Sequence, residues 1–424
     1  MNKFVDELAQ KYKLDDKYRE LIRESWKTVE PYWNVMKETA AVNQLKVLNA
    51  FHKNNASDFH LNGSTGYGYG DVGRDNFEKI WAEVFKAEKA LVRPQIVSGT
   101  HAIALCLFGI LRPGDEMLSV SGTPYDTLLK VIGTAGEAGT LAELDICHRV
   151  VELRDDGDFD YPGIAKSINP QTKIICIQRS RGYSWRASLT IEQIRKVIEF
   201  IKQINNRIIC FVDNCYGEFV EELEPVEVGA DMIAGSLIKN PGGGLAPRGG
   251  YIAGKENLVE LASLRLTAPG ISGEVGSALD FNRLAYQGLF LAPLITEQAV
   301  NGAIFAAQVL KSLGYVVSPL PGEKRTDIIQ AVRLGSPKKM ELFCQGIQYA
   351  SPLDSHVTPQ PSLLPGYRDP VIMAGGTFIQ GSSIELSADG PVREPYIVYL
   401  QGGLSAVHSI IGLISALERM KDDE

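Results

Sequence analysis

The chain has 424 residues, of which 45% are hydrophobic and 22% are charged, and its formal net charge is −8. This length predicts two or three lobes and not one small core. A mildly acidic balance with no long basic run argues against a nucleic-acid-binding surface. The six cysteines form no CxxC pair, and the six histidines show no metal-ligand spacing. These patterns predict reduced thiols and no metal site.

No stretch has the composition of a signal peptide or a membrane span. Charged residues occur at the very N-terminus, and the best apolar run, residues 404–417, is short and holds His408 and three serines. We therefore expect a cytoplasmic protein that has no membrane partner.

Three segments are predicted along the chain. Residues 1–60 form a helical arm, since apolar residues recur at helical spacing between Ala40 and Phe51. Residues 61–300 alternate strand and helix patterns, which predicts a large α/β domain with a mostly parallel, doubly wound sheet. Residues 301–424 mix strand patterns with a proline-rich patch and end in a helix, as expected of a smaller α+β domain.

A loop rich in glycine and tyrosine spans residues 62–74. Its motif Gly68-x-Gly70-x-x-Gly73 has the spacing of a dinucleotide-binding fingerprint, but that fingerprint follows a strand. Residues 57–62 make a poor strand, which disfavours a nicotinamide cofactor. The tyrosines and Arg74 instead indicate a polar wall that touches a phosphate, and a plain flexible loop is the alternative.

A helix is predicted over residues 75–90 and a short strand over residues 92–97. The next helix opens with Ser98, Gly99 and Thr100 and continues as an apolar segment. Free backbone N–H groups, the helix dipole and hydroxyl groups at such a helix start can bind a phosphate. A simple serine cap explains the same residues, so both interpretations stay open at this point.

Two short apolar runs, residues 208–213 and 231–237, have the pattern of buried parallel strands. Asp213 ends the first run, and Lys239 follows the second. Because ligands of open α/β sheets bind outside the carboxyl ends of the strands, these side chains are predicted to face one crevice. Pyridoxal phosphate needs such a pair, a lysine for its aldehyde and a carboxylate for its ring nitrogen. A solvated lysine is the alternative for Lys239 taken alone.

At this point the sequence resembles a known group of enzymes. Ser98-Gly-Thr, Tyr125, Asp213 and Ser236-x-x-Lys239 occur in the order found in fold-type-I pyridoxal-phosphate enzymes. The chain is similar to the cysteine and methionine metabolism branch, which includes cystathionine lyases and methionine γ-lyase. It most resembles the bacterial methionine γ-lyase-like or aluminium-resistance proteins, through residues 211–219, 235–244 and 380–387. The resemblance covers nearly the whole chain.

The resemblance implies a cofactor site. Lys239 would bind the aldehyde, Asp213 would pair with the ring nitrogen, and Tyr125 would stack on the ring; these three are the predicted catalytic residues. The phosphate would be held by a set of small and hydroxyl-bearing residues, namely Ser98, Gly99, Thr100 and Ser236.

The resemblance also implies a partner subunit. Tyr69 and Arg74 would reach the phosphate of the neighbouring subunit's cofactor, so a homodimer with shared active sites is expected, usually within a homotetramer. Arg393 is our choice for the carboxylate of the amino-acid substrate, because arginine offers a bidentate fork. The alternative for Arg393 is an ordinary surface arginine.

Some positions depart from the branch. Ile238 stands where a threonine usually precedes the lysine, and Pro241 to Gly244 replaces a His-Gly pair. The segment Gln178 to Tyr183 replaces a Pro-x-Asn-Pro turn that contacts the ring hydroxyl. These departures leave the cofactor residues in place and concern the substrate.

The leading hypothesis is a pyridoxal-phosphate-dependent C–S lyase that acts on a sulfur amino acid of cystathionine or methionine type. β- or γ-Elimination would release a thiol, a 2-oxo acid and ammonia. Three alternatives remain: another pyridoxal-phosphate reaction such as transamination or racemisation, a nicotinamide-dependent dehydrogenase, and a non-catalytic stress protein.

Overall fold

The computed structural model describes residues 2–134 and 136–421. The ends of the predicted first and last segments, Met1 and residues 422–424, lie outside these ranges. The helices are, in chain order, α1 Asn2–Lys11, α2 Asp16–Lys53, α3 Val72–Phe85, α4 Gly99–Ile110, α5 Asp126–Ile132, α6 Tyr161–Ser167, α7 Ile191–Ile204, α8 Glu256–Leu266, α9 Phe281–Ser312, α10 Pro337–Tyr349 and α11 Ala406–Met420.

The strands belong to two sheets. Seven strands form the large sheet: β1 Lys89–Arg93, β2 Glu116–Ser119, β3 Cys147–Val150, β4 Thr172–Gln178, β5 Ile209–Asp213, β6 Met232–Ser236 and β7 Gly250–Gly254. Five strands form the small sheet: β8 Val316–Ser318, β9 Ile329–Arg333, β10 Val371–Ala374, β11 Ser387–Pro391 and β12 Ile397–Gln401.

The large sheet has the strand order β1-β7-β6-β5-β4-β2-β3, and apolar clusters cover both of its faces. This arrangement confirms the predicted α/β fold with a mostly parallel, seven-stranded sheet. Only β7 runs antiparallel to its two neighbours. A parallel return normally needs a helical crossover, and the connection from β6 to β7 contains only the 3₁₀ turn Asn240–Gly242.

The small sheet has the order β10-β11-β12-β9-β8 and is antiparallel throughout. It shares an apolar core with α9, α10 and α11, which confirms the predicted smaller α+β unit. By length and composition α9 could cross a membrane, but it is mostly buried against the rest of the protein, as the core helix of a globular protein is.

Two predicted elements are displaced in the structure. Helix α3 begins at Val72 because the Asp71 side chain accepts a hydrogen bond from Arg74 N at 2.9 Å, and it ends where Lys86 adopts a left-handed conformation. Strand β1 therefore starts at Lys89, and it stops before Pro94, which has no N–H to donate.

The N-terminal arm is helical, as predicted, and packs on both units. Helix α2 lies along α9, and Trp33 Nε1 donates to the Asn301 carbonyl at 3.0 Å. Asn43 Nδ2 donates to the carbonyls of Phe219 and Glu221, each at 3.1 Å, in the large domain. The arm thereby contacts both α9 and the large domain.

Candidate active site

A cavity of about 260 Å³ lies at the carboxyl ends of β4, β5 and β6, between the two sheets. We call it the central cavity. The structure brings most of the predicted site residues to its wall, namely Ser98, Gly99, Thr100, Tyr125, Asp213, Ser236 and Lys239. A larger groove of about 570 Å³, between α2 and the small domain, contains none of them.

Lys239 follows the end of β6 and lies, half-buried, in the cavity wall beside Tyr216. Its Nζ lies 3.7 Å from the centre of the Tyr216 ring. Burial lowers the pKa of Lys239, but the surrounding Cys215, Tyr216 and Asp213 side chains outweigh burial and raise it. Tyr216 has a φ of +70°, which is unusual for a bulky residue, and its ring faces the lysine.

Asp213 ends β5 and is almost completely buried. Its Oδ1 accepts a hydrogen bond from Cys215 N at 3.1 Å. Burial raises the pKa of Asp213, and the charge of Lys239 opposes this shift. A carboxyl group with these surroundings is suited to hold a proton together with a basic nitrogen placed in the cavity.

The start of α4 forms a narrow cup. Ser98 Oγ accepts from His101 N at 3.0 Å, so Ser98 does cap the helix, as the simpler interpretation proposed. A Cβ atom on Gly99 would lie 3.2 Å from Cys215 Sγ and 3.4 Å from Ser236 Cβ. The missing side chain therefore leaves the helix start open to the cavity, where N–H groups and the helix dipole favour an anion.

Tyr125 stands immediately before α5, with its hydroxyl 3.4 Å from Thr100 Oγ1. Thr100 Oγ1 is also 3.4 Å from Thr127 Oγ1. Burial raises the pKa of Tyr125 well above its ordinary value, and the Asp213 charge adds to this. Tyr125 is therefore neutral over the working range of most enzymes and offers an aromatic ring beside the cup.

Three predicted site residues lie away from the cavity wall. Tyr69 is 67% exposed on the glycine-rich loop. Arg74 is buried in its own chain, where its guanidinium donates to the carbonyls of Gly68 and Gly276 at 2.9 and 3.1 Å and pairs with Asp75. In this chain Arg74 shapes the loop that carries Tyr69. Contact of either residue with a neighbouring subunit's phosphate stays a prediction.

Arg393 forms an ion pair with Asp369 at 2.9 Å on the surface and does not line the central cavity. Its role towards the substrate carboxylate stays a prediction that no contact in the described chain supports. The alternative of a surface arginine matches its position.

Sequence reasoning gave no role to several aromatic and amide groups that line the cavity, some from the large domain and some from the small one. Gln178 ends β4 directly beside Asp213 in the sheet register, and its Oε1 is buried without a hydrogen-bond partner in the described chain. The position of Gln178 at a strand end was a usable signal. Tyr183 belongs to the same segment, which replaces the Pro-x-Asn-Pro turn of the branch. Three further cavity residues come from distant segments and carry no such signal: Tyr367, Tyr399 and Gln401.

The glycine-rich loop does not have the setting of a dinucleotide-binding fingerprint. The segment before it is the 3₁₀ turn Asp58–Leu61, and β1 comes only after α3. Such a motif must follow a strand of the sheet. The geometry thus removes the basis for the nicotinamide alternative.

Comparisons with known proteins agree with this geometry. Residues 18–421 match the family model Methionine gamma-lyase. The chain belongs to this family. The YnbB protein of Bacillus subtilis is 53% identical, over 91% of this chain and 92% of its own. A carbon-sulfur lyase involved in aluminum resistance from Clostridium novyi is 48% identical, covers 98% of both chains and has a TM-score of 0.93.

A more distant structure supports the fold class alone. The pyridoxal-5'-phosphate-dependent protein YhfS of Escherichia coli is 16% identical, over 91% of this chain and 97% of its own, with a TM-score of 0.60. Together with the family match, this likeness confirms the fold-type-I architecture that the motifs indicated, and the family implies pyridoxal phosphate.

Proposed function

We propose that this protein is a pyridoxal-phosphate-dependent C–S lyase that cleaves a sulfur amino acid by β- or γ-elimination, with release of a thiol, a 2-oxo acid and ammonia. One observation carries the proposal. A half-buried lysine and a buried carboxyl group, Lys239 and Asp213, face a single cavity that also contains an open helix start.

The residues of the cavity fit the cofactor. The open cup at Gly99, with the hydroxyl groups of Thr100 and Ser236, offers the donors that a phosphate needs. Lys239 is the lysine within reach of an aldehyde in this cavity, and Asp213 can hold the proton of a ring nitrogen. When bound, pyridoxal phosphate supplies an electron-withdrawing ring that stabilises negative charge at the substrate Cα.

Lys239 is the proposed acid–base group of the reaction. Its Nζ would accept the proton from the substrate Cα, because it is the amine in the cavity wall. The Tyr216 ring, 3.7 Å away, stabilises the ammonium that results.

A second copy of the chain is proposed to complete the site, as a homodimer and within a tetramer. Val97 in the cavity wall is 74% exposed, and on the glycine-rich loop Tyr67 and Tyr69 are 76% and 67% exposed. Single exposed apolar residues are common, but the neighbouring rings of Tyr67 and Tyr69 form an exposed aromatic pair, which favours a protein partner. This pair supports the proposal that Tyr69 contacts the neighbouring subunit.

Two measurements test the proposed function. The purified protein should show a visible absorbance band that disappears on borohydride reduction. A screen of sulfur amino acids should then detect stoichiometric thiol and 2-oxo acid. A protein without the band would refute the cofactor, and a yellow protein that releases 2-oxo acid or racemised amino acid without thiol would refute the lyase.

A further inference from the structure

A second groove, with a volume of about 520 Å³, lies at the edge of the large sheet opposite the central cavity. We call it the basic groove. Its wall contains residues from the beginnings of three strands: Lys173 is the second residue of β4, Arg207 precedes β5 by two residues, and Asp231 comes directly before β6. Asp213 and Lys239 stand at the other ends of β5 and β6. The basic groove is therefore separate from the candidate active site.

Positive side chains dominate the wall of the basic groove. One acidic residue, Asp231, shares this wall with five cationic residues, namely Arg112, Lys173, Lys202, Arg207 and Lys255. The chain as a whole has a net charge of −8, so the groove is opposite in sign to the protein around it. Like charges in one groove repel each other, and together they create a positive potential that concentrates anions.

The acidic groups around the basic groove neutralise only part of this charge. Asp231 is buried and pairs with Lys202 and with Lys255, each at 2.6 Å. Glu88, outside the wall, also acts on Lys255, and its Oε2 accepts a hydrogen bond from the first N–H of α8 at 3.0 Å. Both acids are thus engaged at Lys202, Lys255 and the start of α8. The other three cations keep their charge for a ligand.

These three cations are exposed. The Arg112 guanidinium donates from Nη1 to two carbonyls at the end of α4, at 2.9 and 2.8 Å, and its neighbour Asp115 accepts from the Arg112 backbone N and not from the guanidinium. The side chains of Lys173 and Arg207 form no hydrogen bond or ion pair within residues 2–134 and 136–421. An anion that enters the groove therefore meets cations that no carboxylate already holds.

The composition of the wall indicates the kind of anion. Arginine forks and lysine ammonium groups are well suited to phosphate oxygens. The five cations come from separate elements: Arg112 follows α4, and the others belong to or adjoin β4, α7, β5 and α8. A ligand needs several anionic groups to reach more than a few of them. No aromatic side chain of the described chain lines the groove, so no ring is available to stack on a base.

From this arrangement we propose that the basic groove binds a small soluble anion that carries two or more phosphate groups. Lys173 and Arg207 supply free charges, and Asp231 holds Lys202 and Lys255 beside them. This binding site lies outside the central cavity, and the proposal does not depend on the lyase function.

Isothermal titration with sodium tripolyphosphate tests the proposal. The protein is first saturated with pyridoxal phosphate, which keeps the probe out of the cup at Gly99. We expect binding that weakens as the NaCl concentration rises, and a dissociation constant for orthophosphate that is about tenfold or more higher. Absence of tripolyphosphate binding at about 1 mM would overturn the proposal. Equal affinities for the two probes would overturn the requirement for several phosphate groups.

Variants then assign the binding to the groove. Lys173→Gln combined with Arg207→Gln removes two exposed charges and leaves the Asp231 ion pairs in place; the dissociation constant for tripolyphosphate should rise about tenfold. The matched control is Lys338→Gln combined with Arg419→Gln, which removes the same two kinds of charge from exposed positions on α10 and α11. Its dissociation constant should not change. Equal weakening in both double variants, or in neither, would overturn the assignment.

Two further probes identify the source of the phosphate groups. ATP carries a triphosphate chain with a nucleoside attached, so binding tighter than that of tripolyphosphate would indicate a nucleotide, and equal or weaker binding would indicate recognition of the phosphate chain alone. Capture of the protein by vesicles with phosphatidylinositol bisphosphate, without tripolyphosphate binding, would overturn a soluble ligand. Thiol release without added phosphate should be the same in the Lys173 and Arg207 double variant as in the unmodified protein, since neither residue lines the central cavity.

Discussion

Replacement of Gly99 by alanine tests whether the start of α4 binds the cofactor's phosphate. The added Cβ would lie 3.2 Å from Cys215 Sγ and 3.4 Å from Ser236 Cβ, and both residues line the central cavity. Such distances are a few tenths of an ångström shorter than ordinary contacts of about 3.5–4.0 Å. The methyl group would therefore occupy part of the space proposed for the phosphate.

The effects on folding and on binding differ in size. Alanine in place of glycine favours folding by about 0.4–1 kcal/mol through the unfolded chain. Overpacking costs about 1–3 kcal/mol, so we expect the free energy of unfolding to fall by about 2.6 kcal/mol at most. If the same crowding acts on the bound phosphate, the dissociation constant for pyridoxal phosphate should rise about tenfold or more.

The assay is titration of the cofactor-free protein with pyridoxal phosphate, followed by absorbance, with urea unfolding measured alongside. Gly375→Ala is the matched control, since its added Cβ meets no atom within 4 Å. Adding Cys215→Ala to Gly99→Ala removes the sulfur and should recover part of the affinity. Unchanged affinity in Gly99→Ala would refute the phosphate assignment.

Three further predictions concern the catalytic groups. Lys239→Ala should lose the visible band that borohydride bleaches, and a band that persists would assign the aldehyde to another lysine. Asp213→Asn should keep the cofactor and lose about a hundredfold or more in kcat, because a neutral amide does not stabilise a protonated ring nitrogen; retained kcat would contradict that role. Mixing Arg74→Ala with Lys239→Ala under subunit exchange should restore activity if the site is shared. Absence of recovery, with exchange shown by mass spectrometry, would confine Arg74 to its own chain, where it bonds the loop carbonyls.

The domain boundaries and the cytoplasmic location stay predictions. Strands β1–β7, before α9, all belong to the large sheet, and strands β8–β12, after α9, all belong to the small sheet. Helix α2 contacts α9 and the large domain, and the sequence did not predict these contacts. Fractionation of cells that express the protein would test the location directly.

The sequence by itself determined the half of the site that lies on the large sheet. Asp213 and Lys239 each follow a buried strand, and Gly99 opens an apolar helix; these are local signals. Since the carboxyl ends of parallel strands meet at one edge, chain order was enough to bring these residues to one crevice. The fold class followed from the same alternation of strands and helices.

Only the tertiary structure decided the other half. Tyr183, Tyr367 and Gln401 come from segments more than 200 residues apart at the extremes, and they meet because the small sheet packs over the loop after β4. Local periodicity carries no information about such packing.

The contacts of two arginines also could not be predicted from the sequence. In the sequence both Arg74 and Arg393 were predicted to bind an anionic group of a ligand. In the structure Arg74 donates to the Gly68 carbonyl of the glycine-rich loop, and Arg393 forms an ion pair with Asp369 on the surface. A long charged side chain bonds to the nearest acceptor that folding brings to it, and that acceptor is set by contacts between distant parts of the chain.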